Sequence, residues 1–120
     1  GVAQRTGATI YYVELFPKAA ARDKKPVLAL MPVPGDVDIV LASELMEAGR
    51  AITRGLVTPD RTTLIASTHR VYTMLERIAL ADDRVDPTAL LKSSEEASKR
   101  LHAFDMASIA DATGSLVSAV

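Results

Sequence analysis

Three short stretches carry side chains able to do chemistry, and none completes a catalytic motif. Gln4-Arg5-Thr6-Gly7 lies in a loop bracketed by Gly1 and Gly7. Glycines let a backbone approach a ligand closely, and a guanidinium fork matches a planar carboxylate or phosphate. The loop is thus a candidate anion-binding turn; the plainer reading is an ordinary tight turn. Ser43, Glu44, Glu47 and Arg50 cluster at an expected helix start. Paired carboxylates invite acid–base chemistry, although a helix start attracts acids through its dipole anyway. Thr68, His69 and Arg70 follow a β-branched run, and the carboxyl ends of strands are where open α/β sheets place ligands. His69 is the better of the two histidines for proton transfer or anion binding, with capping as its structural alternative. His102, in an expected last strand, reads as structural. The chain has no H-E-x-x-H, G-x-S-x-G, complete Walker loop or G-x-G-x-x-G, which argues against an autonomous catalyst of those types.

The elements that must position these groups follow from the apolar pattern. Ala8 to Phe16 is β-branched and aromatic and reads as a strand stopped by Pro17. Lys18 to Pro26, with three alanines and four basic groups, reads as an exposed loop or a frayed helical turn. Val27 to Met31 is a short strand or extended segment closed by Pro32-Val33-Pro34-Gly35. Asp38 to Ala42 is a buried strand that passes into a helix, with Ser43 as its starting residue and Gly55 at its end. Thr62 to Ser67 is the next strand, and the strand–helix–strand order predicts a parallel sheet. Val71, Met74, Leu75, Ile78 and Ala79 recur at amphipathic-helix spacing. Asp86-Pro87 opens a further helix whose period runs through Leu90, Leu91, Ser94, Ala97 and Leu101. His102 to Phe104 reads as a last strand, and Asp105 as the cap of a helix whose stripe of Met106, Ile109, Ala110, Thr113, Val117 and Val120 reaches the final residue.

Composition narrows the function classes. In 120 residues, the 48% apolar content with only 4% aromatics implies an aliphatic core, in a chain long enough to bury roughly two-thirds of its unfolded surface. Fourteen basic against fifteen acidic side chains give no global positive field, which argues against nucleic-acid binding. With no cysteine, the chain has no thiolate for a disulfide, a cysteine zinc site or an iron–sulfur cluster. No apolar run approaches the ~20 residues of a membrane span, and no signal sequence opens the chain. The expectation is a cytoplasmic protein without membrane association.

The opening G-V-A-Q-R-T-G, the D-V-D-I-V-L-A-S-E-L-M-E-A segment, T-T-L-I-A-S-T and, more weakly, F-D-M-A-S-I-A together resemble the gamma-type domain of 2-oxoacid:ferredoxin oxidoreductases, closest to the indolepyruvate ferredoxin oxidoreductase beta subunit. Thr6 departs from that pattern, standing where the family usually has the first of two glycines. The resemblance covers most of residues 1–120 and implies a single, partial gamma-type domain. The expected fold is α/β, a three-layer α/β/α arrangement with a mostly parallel, Rossmann-like sheet, truncated at both ends because the family's preceding glycine-rich strand–loop–helix is absent.

The resemblance further implies a role within an enzyme that oxidatively decarboxylates aryl 2-oxo acids to acyl-CoA thioesters, with ferredoxin as electron acceptor. Thiamine diphosphate, iron–sulfur clusters and CoA belong to that parent enzyme, and none is expected to be bound by this chain, which holds no metal. Its expected partner is the thiamine diphosphate-binding domain or subunit, with ferredoxin an indirect one and a homo-oligomer expected for the isolated fragment. The expected role is non-redox packing and site completion, with Gln4, Arg5, Thr6, Gly7, Ser43, Glu44, His69 and Arg70 as the substrate- or cofactor-proximal residues and no catalytic residue assigned. Two other classes remain open on the residues themselves. One is a stand-alone nucleotide- or CoA-binding module; the other is a purely structural interaction domain, associating by edge-strand pairing or exchange of its last helix.

Overall fold

A computed structural model describes residues 2–4, 8–22, 24–25, 28–69 and 87–115. The chain divides into two compact units, Gly1–Pro32 and Val33–Val120.

In the first unit, β1 (Val2–Gln4) pairs antiparallel with β2 (Ala8–Ile10), Val2 facing Ile10 and Gln4 facing Ala8. The strand expected over Ala8 to Phe16 is therefore paired only as far as Ile10. A strand is defined by its ladder as much as by its own pattern, and the pairing with β1 covers Ala8 to Ile10. The pattern itself persists, because Tyr11, Val13 and Leu15 are exposed while Tyr12 and Glu14 are half-buried. Lys18–Ala21 forms one 3-10 turn, in which Ala20 N and Ala21 N donate to Pro17 O at 3.0 and 3.2 Å. Leu28 to Met31 carries no strand, although Ala29 N donates to Glu14 Oε2 at 3.0 Å.

The second unit is an α/β fold built on a parallel sheet. Its elements are β3 (Ile39–Ala42), α1 (Leu45–Thr53), β4 (Thr63–Ser67), α2 (Pro87–Ala97), β5 (Arg100–Phe104) and α3 (Met106–Ala112). The strand order is β3-β4-β5 with both pairings parallel; Ala42 stands opposite Ala66, and Ala66 opposite Ala103. The core lies where α1 and α2 meet one face of the sheet. Ala42, Leu45, Ala48, Ala51, Val57, Leu64 and Ala66 are buried there, with Leu90, Leu91 and Leu101 packed against them. Its many alanines allow close approach: a Cβ on Gly49 of α1 would come within 3.3 Å of Leu90 Cδ1 on α2.

Helix ends are set by local chemistry. At the end of α1, Gly55 has φ +76°, its N–H donates to Ile52 O at 2.9 Å, and Leu56 N donates to Ala51 O at 3.0 Å. Gly114, at φ +73°, closes α3 the same way, with Ser115 N donating to Ala110 O at 2.8 Å and Gly114 N to Asp111 O at 3.2 Å. Both are Schellman closures. The second one ends α3 at Ala112 rather than letting its stripe run on; Val117 and Val120 lie outside the described residues, as does the amphipathic run from Val71 to Ala79. Likewise α2 stops at Ala97 rather than continuing to Leu101. Ser98 Oγ donates to Ser94 O at 2.7 Å and Lys99 N to Thr62 O at 2.8 Å, which delivers Leu101 into β5 opposite Leu64. Asp86, the expected cap of α2, is also outside the described residues.

Thr62 ties together the amino-terminal edge of the sheet. Fully buried, its Oγ1 donates to Val37 O at 2.8 Å and accepts from Thr58 N at 3.0 Å. Beside it, Thr63 N donates to Asp38 O at 2.8 Å, and the Arg61 guanidinium pairs with Asp36 and, at 2.8 Å, with Asp38. The exposed ion pairs contribute little, whereas a buried amide and carbonyl left unpaired cost more. We expect Thr62→Val to lower the unfolding free energy by about 1–3 kcal/mol and Thr62→Ser to recover most of the loss, as measured by urea denaturation.

Candidate site at the carboxyl edge of the sheet

In a parallel sheet every strand leaves at the same edge, so the residues following β3, β4 and β5 converge in space although they lie far apart in sequence. Here those residues are Ser43 and Glu44, Thr68 and His69, and Asp105, which precedes α3. The ladder runs on into this edge, with Thr68 N donating to Phe104 O at 3.0 Å.

Ser67 is the buried pivot. It is 1% exposed, and its Oγ accepts from Met106 N at 3.2 Å and from His69 N at 3.4 Å. One hydroxyl therefore fixes both the start of α3 and the turn that carries His69. That turn brings His69 Nδ1 to 3.6 Å from Asp105 Oδ1, an ion-pair distance when the imidazole is protonated. The Asp105 carboxylate is anchored from its other side: Ser108 N donates to Oδ1 at 3.2 Å and Ser108 Oγ to Oδ2 at 2.8 Å. These two Ser108 hydrogen bonds, ahead of the His69 charge, hold the Asp105 carboxyl below the usual carboxylate range.

The arrangement is a carboxylate-oriented histidine with half of its side chain exposed. Chemically it can exchange a proton or hold an anion. It is not a serine-hydrolase triad, in which the histidine stands between serine and aspartate. Here the aspartate stands between Ser108 and His69, and Ser67 is buried and occupied in accepting backbone N–H groups. No group of three metal-ligating side chains occurs among the described residues.

The other sequence-derived candidates fall differently. Ser43 does not cap α1. The N-cap position is Glu44, with extended dihedrals and no capping hydrogen bond from its side chain; Glu47 N and Ala48 N instead bond to its carbonyl. The chain stays extended one residue further than the serine rule predicts, leaving Ser43 exposed. Glu47 pairs with Arg50 one turn along α1. Gln4 lies in β1 of the first unit, and Arg5, Thr6, Gly7 and Arg70 lie outside the described residues. Asp105 was legible only as a helix cap and Ser108 was not singled out, since nothing local links Asp105 to a histidine 36 positions earlier in the sequence. A shallow groove of about 360 Å³ lies between α1 and α2, lined by Met46, Gly49, Arg50, Thr53, Arg54 and Leu90. Comparison with protein-family models, curated proteins and solved structures gives no match.

The lowered pKa of Asp105 has a defined sign. A carboxyl depressed in the folded state contributes stability that is present above its unfolded pKa and lost as pH falls through the folded value. Asn keeps the capping geometry without the charge. The difference in Tm between wild type and Asp105→Asn should therefore shrink as pH drops below about 4, measured by thermal melts across that range.

Proposed function

We propose that this chain is a gamma-type domain of a cytoplasmic indolepyruvate, or aryl 2-oxoacid, ferredoxin oxidoreductase, acting as a non-redox packing and site-completing partner. In the overall reaction the bond between the carbonyl carbon and the carboxylate breaks and carbon dioxide leaves. The acyl group passes to the CoA thiol, and two electrons pass to ferredoxin. The observation that carries the reading is the placement of its two best-resembling segments. D-V-D-I-V-L-A-S-E-L-M-E-A and T-T-L-I-A-S-T fold as β3–α1 and β4, adjacent parallel strands whose carboxyl ends open onto one edge. That edge suits contact with a ligand or partner domain.

The donor set of this chain does not fit the redox groups. Its sequence has no cysteine to hold an iron–sulfur cluster, and the described residues have no acidic cluster to hold a metal-bound diphosphate. In this proposal thiamine diphosphate and the clusters sit in other domains or subunits, and this chain contributes contacts to their site. The Gln4–Arg5 loop and His69 are the groups proposed to make them.

Reconstitution tests this reading. With the thiamine diphosphate-binding subunit, indolepyruvate-dependent ferredoxin reduction in the presence of CoA should require this chain. Arg5→Ala should raise the KM for the oxo acid about tenfold or more, the effect of losing one charge-assisted hydrogen bond. Activity unchanged by omitting the chain would refute the proposal. Saturable CoA binding by the chain alone would favour a free-standing binding module instead.

A further inference from the structure

The described residues of the first unit expose large apolar side chains. None of its side chains whose exposure is described is buried. Tyr11, Val13 and Leu15 alternate along one side of an extended segment at 79%, 77% and 87% exposure, and Leu28 and Leu30 add 49% and 94%. The opposite side of the segment is occupied locally: Tyr12 Oη and Ala29 N both donate to Glu14 Oε2, at 2.8 and 3.0 Å. The segment is thus held extended by its polar side, while its apolar side faces outward at strand spacing. Such a period-2 row is the half of a sheet contact that an added strand completes.

Charge identifies the partner's chemistry. Immediately after this row come Lys18, Arg22, Lys24 and Lys25, all exposed. Residues 1–32 carry five basic side chains against Glu14 and Asp23. Glu14 is already engaged, and Asp23 lies inside the basic run. A second copy of the row would therefore bring like charge and no free acid. We propose that residues 11–16 dock against a strand edge of a different polypeptide, apolar along its contact row and flanked by Asp or Glu side chains that meet the Lys18–Lys25 run. This inference stands on the first unit alone and does not depend on the oxidoreductase reading.

The test uses the full chain and two synthetic peptides, each an alternating Thr-Val strand, one flanked by glutamates and one by lysines. By fluorescence anisotropy at low salt, the glutamate-flanked peptide should bind at least about tenfold more tightly than the lysine-flanked one, and the preference should fade as salt is raised. Val13→Lys should abolish binding of both. The double variant Lys24→Glu, Lys25→Glu leaves the apolar row intact and should reverse the preference, which separates lost recognition from lost folding. Equal binding of the two peptides, or none, would overturn the proposal. So would a dimer of the chain by light scattering that Val13→Lys dissolves, since the row would then be covered by a second copy. Binding to vesicles of equal parts phosphatidylserine and phosphatidylcholine with no peptide preference would also overturn it, in favour of a lipid surface.

Discussion

The second unit depends on one strand held at both ends by a buried hydroxyl. β4 lies between β3 and β5, and its neighbours' registers are both defined against it. At its entry Thr62 satisfies the amide of Thr58 and the carbonyl of Val37; at its exit Ser67 satisfies the amides of Met106 and His69. Those are the places where a parallel sheet is short of partners, because ladder bonds run out while the chain is still buried. Small β-hydroxyl side chains fit there, since each reaches a backbone group a few ångströms away without adding volume to a tightly packed alanine-rich core. Between them, Leu64 and Ala66 anchor α1 and α2. The site at the carboxyl edge inherits its geometry from this strand: were Ser67 displaced, both His69 and the start of α3 would lose the same acceptor.

This explains which parts of the fold were legible in the sequence. Ile39 to Ala42 and Thr63 to Ser67 are short apolar, β-branched runs between polar punctuation, and they became β3 and β4 nearly as bounded. Gly55 marked the end of α1 correctly because a left-handed C′ residue is a local requirement that one residue type meets best. Boundaries set by longer-range bonds were not legible. Leu101 matches the helical period of α2, yet it belongs to β5, because Lys99 N is drawn to Thr62 O from 37 positions away. Ser43 has the side chain of a cap, but α1 begins two residues later, at Leu45, where the first residue buried in the core sits.

The site shows the same division. A histidine after a strand was recognisable as a candidate, and an aspartate ahead of an apolar helical stripe was recognisable as a cap. Their meeting was not, because it requires knowing that β4 and β5 are adjacent and in what register. Once Ser67 is opposite Phe104, the residues that follow, Thr68-His69 and Asp105, must share an edge. The Asp105 carboxylate then does two things: it caps α3 by accepting from the amide and hydroxyl of Ser108, and it faces His69. The cap is thereby more than a helix signal, because it also holds the carboxylate that lies 3.6 Å from that imidazole.

The two units differ in what holds them. The second has an interior, with buried leucines and alanines and its buried side-chain polar atoms satisfied among the described residues. Among its described residues the first has a two-strand pairing of three residues each, a 3-10 turn and a carboxylate clasp, with Tyr11, Val13, Leu15 and Leu30 largely exposed. An isolated two-stranded hairpin is marginal in water, and ordering each residue costs about 1–2 kcal/mol of conformational entropy. The alternation of Tyr11, Val13 and Leu15 is therefore best understood as half of a contact: its period fits a sheet, its exposure leaves the sheet unfinished, and the basic run beside it restricts what can finish it.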